Sequence, residues 1–466
     1  MWKSALWRLL PTACFVLAVG LQTLGPRPIG VSDNNDFPKV LGRMGVWMAP
    51  EFERDQHNFF VTQYRVNEKL LWDSRIPTTE LWLARIAKLI CQVVMPPGRF
   101  DLRVLGIVHG LIATFAVYLC FGAFVQWPSY WRVLFTALFA IVFSDVEYVQ
   151  FFSTAYMDAA SMVFLMLLFA AALNVVLLHS QASWQWAALF GLAGALFLGS
   201  KLQHQPCLIP LVVFCIAVVF KTPRLTDRVA WAAAAFLLIA ASCFMMAKTP
   251  ADYRVESAFS VVFTKLLPRS EDPEATLREL GLPASDIAFK NTHAFSAGSP
   301  LAEPVYRARF LRDIGSYKLL TYYLGHPKTT LAVLRSDFLA FAPDIPVGNF
   351  GTMRRADSPT PVYRAEGLKL WSTVRSQLCL RLPWHIPLFY LLASGYSIFA
   401  LFSLPRANNG LIWWLILAVA MMGILSFLVG SLGDATETTR HILLYQEATD
   451  MLILLTGAAI FRYRRC

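Results

Sequence analysis

The stretch Ala159-Ala-Ser-Met-Val-Phe-Leu-Met-Leu-Leu-Phe-Ala-Ala-Ala-Leu-Asn-Val-Val-Leu-Leu178 contains no charged side chain. A helix of roughly 20 predominantly apolar residues covers the hydrocarbon core of a bilayer, so this run reads as a membrane span. Comparable runs occur at Leu6 to Leu24, Leu102 to Val125, Val133 to Phe143, Trp184 to Gly199, Leu208 to Phe220, Val229 to Ala247, Ile386 to Leu404, Leu411 to Val429 and Met451 to Phe461. The chain is 56% hydrophobic and only 15% charged over 466 residues, which fits a multi-spanning membrane protein. The expected fold class is an all-α polytopic bundle of about ten transmembrane helices.

The formal net charge of +11 raises the question of nucleic acid, and the placement of the basic residues answers it. Lys3 precedes the first run and Arg8 lies at its start. Arg132 follows the second, Lys221, Arg224 and Arg228 join the sixth to the seventh, Arg406 follows the eighth, and Arg462, Arg464 and Arg465 end the chain. Alternating the spans puts all of them on one side, the cytoplasm, with both termini inside. The excess charge is a topology signal and implies no nucleic-acid partner. The run 133–143 is short for a crossing, but deleting it would send the Lys221 to Arg228 cluster outside. Residues 1–25 resemble a signal peptide, yet no small-x-small cleavage site precedes Pro26, so an uncleaved first helix is expected. The eight cysteines are scattered, without a Cys-x-x-Cys pair, and read as buried packing. Cys91 and Cys379 both fall in outer loops, where pairing stays open.

This topology divides the chain into a membrane module, 1–247, with a first outer loop at 26–101; a large extracytoplasmic loop domain, 248–384; and C-terminal transmembrane helices, 385–466. Thr79 to Val94 alternates apolar residues with Arg85 and Lys88 and suits a helix lying on the membrane surface or packed on its own domain. In the large loop, Asp272 to Leu280 reads as a short helix stopped by Gly281, and Pro343 to Gly351 as turns. A loop of this length is usually functional or structured in its own right. No internal repeat or nucleotide fingerprint is present. Gly430-Ser-Leu-Gly433 lacks the Lys-Ser/Thr and the strand context of a phosphate loop.

The charges that remain near the spans lie at their outer ends. Ser32-Asp-Asn-Asn-Asp-Phe37 carries Asp33 and Asp36 just beyond the first helix. Between Arg132 and Lys221 the only charged side chains are Asp145, Glu147, Asp158 and Lys201. Gly199-Ser-Lys-Leu-Gln-His-Gln-Pro206 adds Gln203 and His204 to Lys201. Asp434, Glu437, Arg440 and His441 link the last two helices, and Glu447 and Asp450 continue along one face of the final one. Each has an ordinary reading: Asp145 and Glu147 as helix caps, Lys201 snorkelling, His204 as a hydrogen-bonded loop histidine, Arg440 paired with Glu437 or Glu447. His57, His109, His179, His293 and His326 read as structural. Together, however, ionisable groups gathered at one membrane face are functional candidates. Carboxylates that take a proton beside cations that stabilise a departing phosphate would suit a reaction on a lipid phosphate.

Ser32-Asp-Asn-Asn-Asp-Phe37, Phe151-Phe-Ser-Thr-Ala-Tyr-Met-Asp158, Ser200-Lys-Leu-Gln203 and Gly433-Asp-Ala-Thr-Glu-Thr-Thr-Arg-His441 carry a resemblance to the GT-C superfamily. These are polyprenyl-phosphate-sugar-dependent glycosyltransferases, here most like bacterial hexosyltransferase-like members of envelope glycan assembly. Val262-Phe-Thr-Lys-Leu-Leu-Pro-Arg-Ser-Glu-Asp-Pro and Leu280-Gly-Leu-Pro look like the same group. The resemblance implies a GT-C-type bundle with an α-rich, mixed extracytoplasmic region in a bacterial inner membrane, and an active site on the outer face. It implies inverting transfer of a sugar, a hexose by closest likeness, from a polyprenyl-phosphate-linked donor to a hydroxyl of a glycan or lipid acceptor. Asp36 best matches the general base. Phe37 stands where better-known members have Glu, which keeps Asp33 beside it. Lys201 and Arg440, with Gln203, His204 and His441, would bind substrate and carrier phosphate. Asp145, Glu147, Asp158 or Asp434 would position the acceptor or hold a divalent cation, Mg or Mn rather than zinc given oxygen ligands. Two other classes compete. A transporter or flippase for an anionic or lipid-linked substrate predicts charges at mid-membrane and paired broken helices; a non-enzymatic assembly subunit predicts dispensable acids.

Overall fold

The protein is represented by a computed structural model. It describes residues 2–25, 29–30, 33, 36–49, 62–72, 75–178, 183–315, 317–341, 367–403, 410–435 and 438–463. Ser32, Asn34, Asn35, His57, His179, the turns of 343–351, Arg406, Glu437, Arg464 and Arg465 lie outside the described residues.

In chain order, α1 (Trp2–Leu24) leads to a short α2 (Pro38–Leu41), strands β1 (Val46–Met48) and β2 (Gln63–Val66), α3 (Glu80–Val94) and β3 (Arg99–Asp101). Next come α4 (Leu102–Ala123), α5 (Ser129–Phe143), the one-turn α6 (Val146–Val149), α7 (Met157–Leu177), α8 (Trp184–Leu198), α9 (Leu208–Lys221) and α10 (Leu225–Lys248). The large loop folds as α11 (Ala251–Ser260), α12 (Pro273–Glu279), α13 (Pro304–Ile314), α14 (Lys318–Gly325), α15 (Pro327–Phe341) and α16 (Leu370–Arg381). The last segment holds α17 (His385–Ser403), α18 (Leu411–Gly433), a single turn α19 (Thr438–His441) and α20 (Leu443–Tyr463).

Each of the ten apolar runs forms a helix. Among the described residues seven helices are long and apolar enough to cross a membrane, and three shorter apolar ones span Leu9–Leu24, Ser129–Phe143 and Trp184–Leu198. The short run at 133–143 gains its helix N-terminus from Ser129, upstream of the apolar residues. Helix α7 is the axis of the bundle. Every residue of it is buried, because α4, α8, α18 and α20 pack around it. Beyond Asp158 in its first turn, its apolar surface on every side suits that position. Its one amide, Asn174, is satisfied by donating to Leu119 O of α4 at 3.0 Å and Ala170 O at 2.8 Å. Between α8 and α10, glycine sets the spacing. A Cβ on Gly194 would meet Leu238 Cδ2 at 2.5 Å and one on Gly191 would meet Ala234 Cβ at 3.0 Å, the close approach that small residues permit between membrane helices.

The first long loop is held by a three-stranded antiparallel sheet in the order β1-β2-β3, with Val46 opposite Val66 and Gln63 opposite Asp101. Helix α3 buries Leu81, Ala84, Ala87 and Cys91. Its other side leaves Trp82, Ile86, Leu89 and Val93 exposed, Val93 by 85%. Two apolar faces on one helix fit a segment caught between the protein and lipid. A spin label at Val93 will therefore collide more with dissolved oxygen than with a water-soluble nickel chelate, and a label at Gln92, beside the stripe, will do the reverse. Preferential nickel contact at Val93 would place α3 in water.

The large loop has a core of its own, built on Phe259, Phe263, Leu277, Phe310 and Tyr322. Asp272 caps α12 by accepting from Ala275 N at 2.9 Å. Gly281 follows with φ of +77°, the left-handed conformation that ends helices at glycine. Cys91 and Cys379 are buried free thiols rather than a disulfide.

Candidate active site

At the end of the bundle from which the two long loops emerge lies a cavity of about 820 Å³. Six pieces of chain close it: Asp36 and Lys39 at the start of α2, Trp72 of the first outer loop, the start of α7, the turn after α8, the large loop at Tyr253 and His293, and residues 434–435 with 440–441. Local sequence accounts for their positions. Pro38 opens α2, and Asp36, just ahead of it, accepts from Lys39 one turn later. Asp158 sits in the first turn of α7, where the helix dipole favours a negative charge. Lys201 occupies an extended residue between α8 and the 3₁₀ turn of 202–207, which aims its chain back over α7.

The charged groups interlock. Asp36 receives Arg440 Nη1 on Oδ2 at 2.7 Å and Lys39 Nζ on Oδ1 at 2.6 Å. Arg440 also lies 3.9 Å from Asp158 Oδ2 through Nε, and its guanidinium stands 4.8 Å from the Tyr156 ring centre, a cation–π arrangement. Lys201 Nζ donates to Asp158 Oδ1 at 2.8 Å and to His441 Nδ1 at 2.9 Å. An ammonium has only protons to give, and Asp434 Oδ2 lies 3.1 Å from Nε2, so these two contacts favour a bare Nδ1 and a proton on Nε2, while Gln203 Oε1 also lies 3.1 Å from Nδ1. Gln203 Nε2 donates to the His441 carbonyl at 3.1 Å.

These contacts set the protonation states. Burial alone would raise the carboxyl of Asp36, but Arg440 and Lys39 overcome it and hold the group well below the usual carboxylate range. Burial, then the positive charges of Lys201 and Arg440, push the His441 imidazole well below its ordinary value, so the ring is neutral. The Tyr253 phenol is raised by burial and by Asp434 and Asp36.

Of the residues singled out in the sequence, Asp36, Asp158, Lys201, Asp434, Arg440 and His441 line this one cavity. Gln203 and His204 lie just behind it. His204 is buried, bonds Ser161 Oγ at 2.8 Å through Nε2 and stacks on Phe197. Asp33 is also buried, and accepts from Phe37 N at 3.1 Å, which shapes the loop that presents Asp36. Asp145 and Glu147 stand elsewhere. Asp145 accepts from Glu147 N at 3.1 Å and Ser372 N at 3.0 Å, while Glu147 pairs with Arg375 of α16. Arg375 Nη1 also faces Asp450 Oδ2 at 3.5 Å, and Tyr148 Oη donates to the same oxygen at 2.6 Å. Burial raises Glu147 to about 7 despite Arg375. These acids and Arg375 tie α6, α16 and α20 together.

Seven lining residues lie outside the sequence pattern, four of them titratable: Lys39, Tyr253, Glu256 and His293, with Trp72, Ser257 and Phe295. Lys39 had a signal, its i+3 spacing from Asp36 at a helix start. His293 reads as structural in sequence but faces the cavity, whereas His109 is internal, bonded to Phe152 O and Glu80. Among the described residues no group of three or more His, Cys, Asp or Glu side chains is arranged to hold a metal ion. Asp36, Asp158 and Asp434 are instead paired with Lys39, Lys201, Arg440 and His441, and Glu256 with Arg307, an arrangement that does not fit a preformed Mg or Mn site.

Comparison with known proteins gives no match among curated sequences. Two solved structures from Archaeoglobus fulgidus align with the chain at 12% identity. One is the oligosaccharyltransferase AglB in complex with an inhibitory peptide and a dolichol-phosphate, with a TM-score of 0.41 over 99% of this chain and 52% of that one. The other is the oligosaccharyltransferase in the apo form, with a TM-score of 0.42 over 100% of this chain and 52% of that one. The chain thus spans about half the length of these proteins. The family described as YfdI N-terminal transmembrane domain matches residues 8–466, nearly the whole sequence. The chain therefore belongs to the YfdI N-terminal transmembrane domain family.

Proposed function

We propose that the chain is an integral membrane glycosyltransferase that moves a sugar, a hexose by resemblance, from a polyprenyl-phosphate donor to an acceptor hydroxyl. The observation that carries the reading is the shared cavity: a reachable carboxylate, Asp36, stands beside the cations Lys39, Lys201 and Arg440 at the loop end of the bundle. The resemblance of its loop motifs to the GT-C superfamily supports it, as does its membership of a transmembrane-domain family. In the reaction the acceptor oxygen attacks the anomeric carbon from the face opposite the phosphate and forms the new C–O bond. The bond from that carbon to the phosphate oxygen breaks, its electron pair leaves on the lipid phosphate, and the hydroxyl proton passes to Asp36. Inversion at the anomeric carbon follows. Cations held where the leaving charge develops lower the barrier without reorganising. Asp158 keeps Lys201 aimed into the cavity, and Asp434 orients the His441 ring through Nε2. The Lys/Arg distribution supports an extracytoplasmic cavity, with both termini in the cytoplasm of a bacterial inner membrane.

The test compares lipid-linked and surface glycans of a strain lacking the chain with those of one carrying it. Loss of one sugar from the glycan, with accumulation of the corresponding polyprenyl-phosphate sugar, is the expected result. Accumulation without loss of any glycan sugar, or an unchanged profile, would overturn the transferase reading.

A further inference from the structure

The cations that the reaction needs are already occupied. Both carboxylate oxygens of Asp36 hold a cation, Lys39 on Oδ1 and Arg440 on Oδ2, and the side chains of Lys39 and Asp36 are 26% and 22% exposed to the cavity. A carboxylate so engaged is a poor proton acceptor, because protonating it would strip two buried or half-buried cations of their partner. Lys201 is likewise held by Asp158. An anion entering this cavity finds no idle positive charge among these three and must compete for them.

We propose that Lys39 is a second ligand of the donor phosphate beside Arg440, and that the phosphate, by taking these two cations from Asp36, converts Asp36 from an ion-pair partner into the reaction's base. This inference rests on the glycosyltransferase reading above. Exchanging one anion for another keeps each cation paired, so the swap buries no uncompensated charge. It also orders the reaction. Before donor binds, the acceptor hydroxyl faces a carboxylate whose oxygens are taken; after donor binds, it faces a free one. Lys39 suits the exchange because its flexible stem carries a point charge that can follow either anion, whereas Arg440 is held over the Tyr156 ring. Besides Tyr156, the other titratable groups of the cavity are Asp158 of α7, Lys201, Tyr253 and Glu256 of α11, His293, Asp434 and His441; the one lysine among them, Lys201, is paired with Asp158 rather than with Asp36.

The experiment uses the full chain in lipid nanodiscs with polyprenyl phosphate, the carrier without its sugar, as the binding probe, alongside transfer kinetics with the polyprenyl-phosphate sugar. Lys39→Met keeps the apolar stem and removes the charge. It should weaken probe binding and raise the donor KM by about tenfold, the loss of one charge-assisted contact. It should also move the acid limb of kcat/KM upward by about one to three pH units, since Asp36 in the free protein loses one of its two cations. Lys39→Arg should restore both. Unchanged probe affinity in Lys39→Met, with transfer intact, would overturn the inference and leave the transferase reading standing. Failure of the unsubstituted chain to transfer sugar at all would overturn both.

Discussion

Asp36→Asn will lower sugar transfer by about 10²–10⁴-fold, the contribution of a positioned general base, while the protein reaches the membrane in normal amount. The amide has the shape of the carboxylate, so the loop closed by the Asp33 to Phe37 hydrogen bond keeps its form. It cannot take the acceptor's proton. The carrier phosphate gives an independent reading. With no carboxylate to compete, Lys39 and Arg440 are released, and polyprenyl phosphate should bind the variant at least as tightly as the parent. Slower transfer with undiminished phosphate binding separates a lost base from a damaged site. The pH profile adds a sign. Asp36 in the free protein is held below the ordinary carboxylate range, so kcat/KM stays high until the pH falls through that depressed value. Once the phosphate has drawn its cations away, the acid limb of kcat should lie higher. Full activity in Asp36→Asn would remove this residue from the base role and return attention to other cavity carboxylates.

Ten helices were legible because a bilayer demands a length and an apolar composition that each segment declares locally. The central position of α7 was not legible, because a uniformly apolar span suits lipid as well as protein: Leu411–Gly433 is equally apolar and only 56% buried. The cavity was legible for a related reason. Charges are scarce in this chain, so Asp158, Lys201 and Arg440 stood out, and their common membrane side brought them near one another. Which acids share the cavity was not legible. Asp145 and Glu147 stand at a helix end on the same side as Asp158, and only the return of α16 with Arg375, 228 residues along the chain from Glu147, assigns them to another network. Lys39 carried only the local signal of its i+3 spacing from Asp36. Its meaning depends on Arg440, 404 residues from Asp36, completing the pair of cations on one carboxylate. Long-range partners decide such roles, and a periodicity has no access to them.

Arg375→Met will destabilise the fold more than any substitution in the cavity, by about 3–5 kcal/mol, because it leaves buried acids without their cation. Glu147 and Asp450 are both fully buried, and Arg375 contacts the two of them. Glu447, one turn before Asp450 on α20, is buried as well, so no solvent route relieves the charge. The thermal midpoint of the protein in detergent reads the loss. Its pH dependence identifies the cause. Burial already raises the Glu147 carboxyl to about 7 with Arg375 in place, and removing the guanidinium can only raise it further. A native state whose acid titrates above its unfolded value binds more protons than the unfolded chain, so stability falls as pH climbs through that window. Arg375→Met should accordingly lose more at pH 8 than at pH 6. Adding Glu147→Gln and Asp450→Asn to the same chain should recover most of the deficit, since a neutral network has no charge left to desolvate. A deficit that is flat with pH and unmoved by those two changes would mean that Arg375 acts through packing rather than charge.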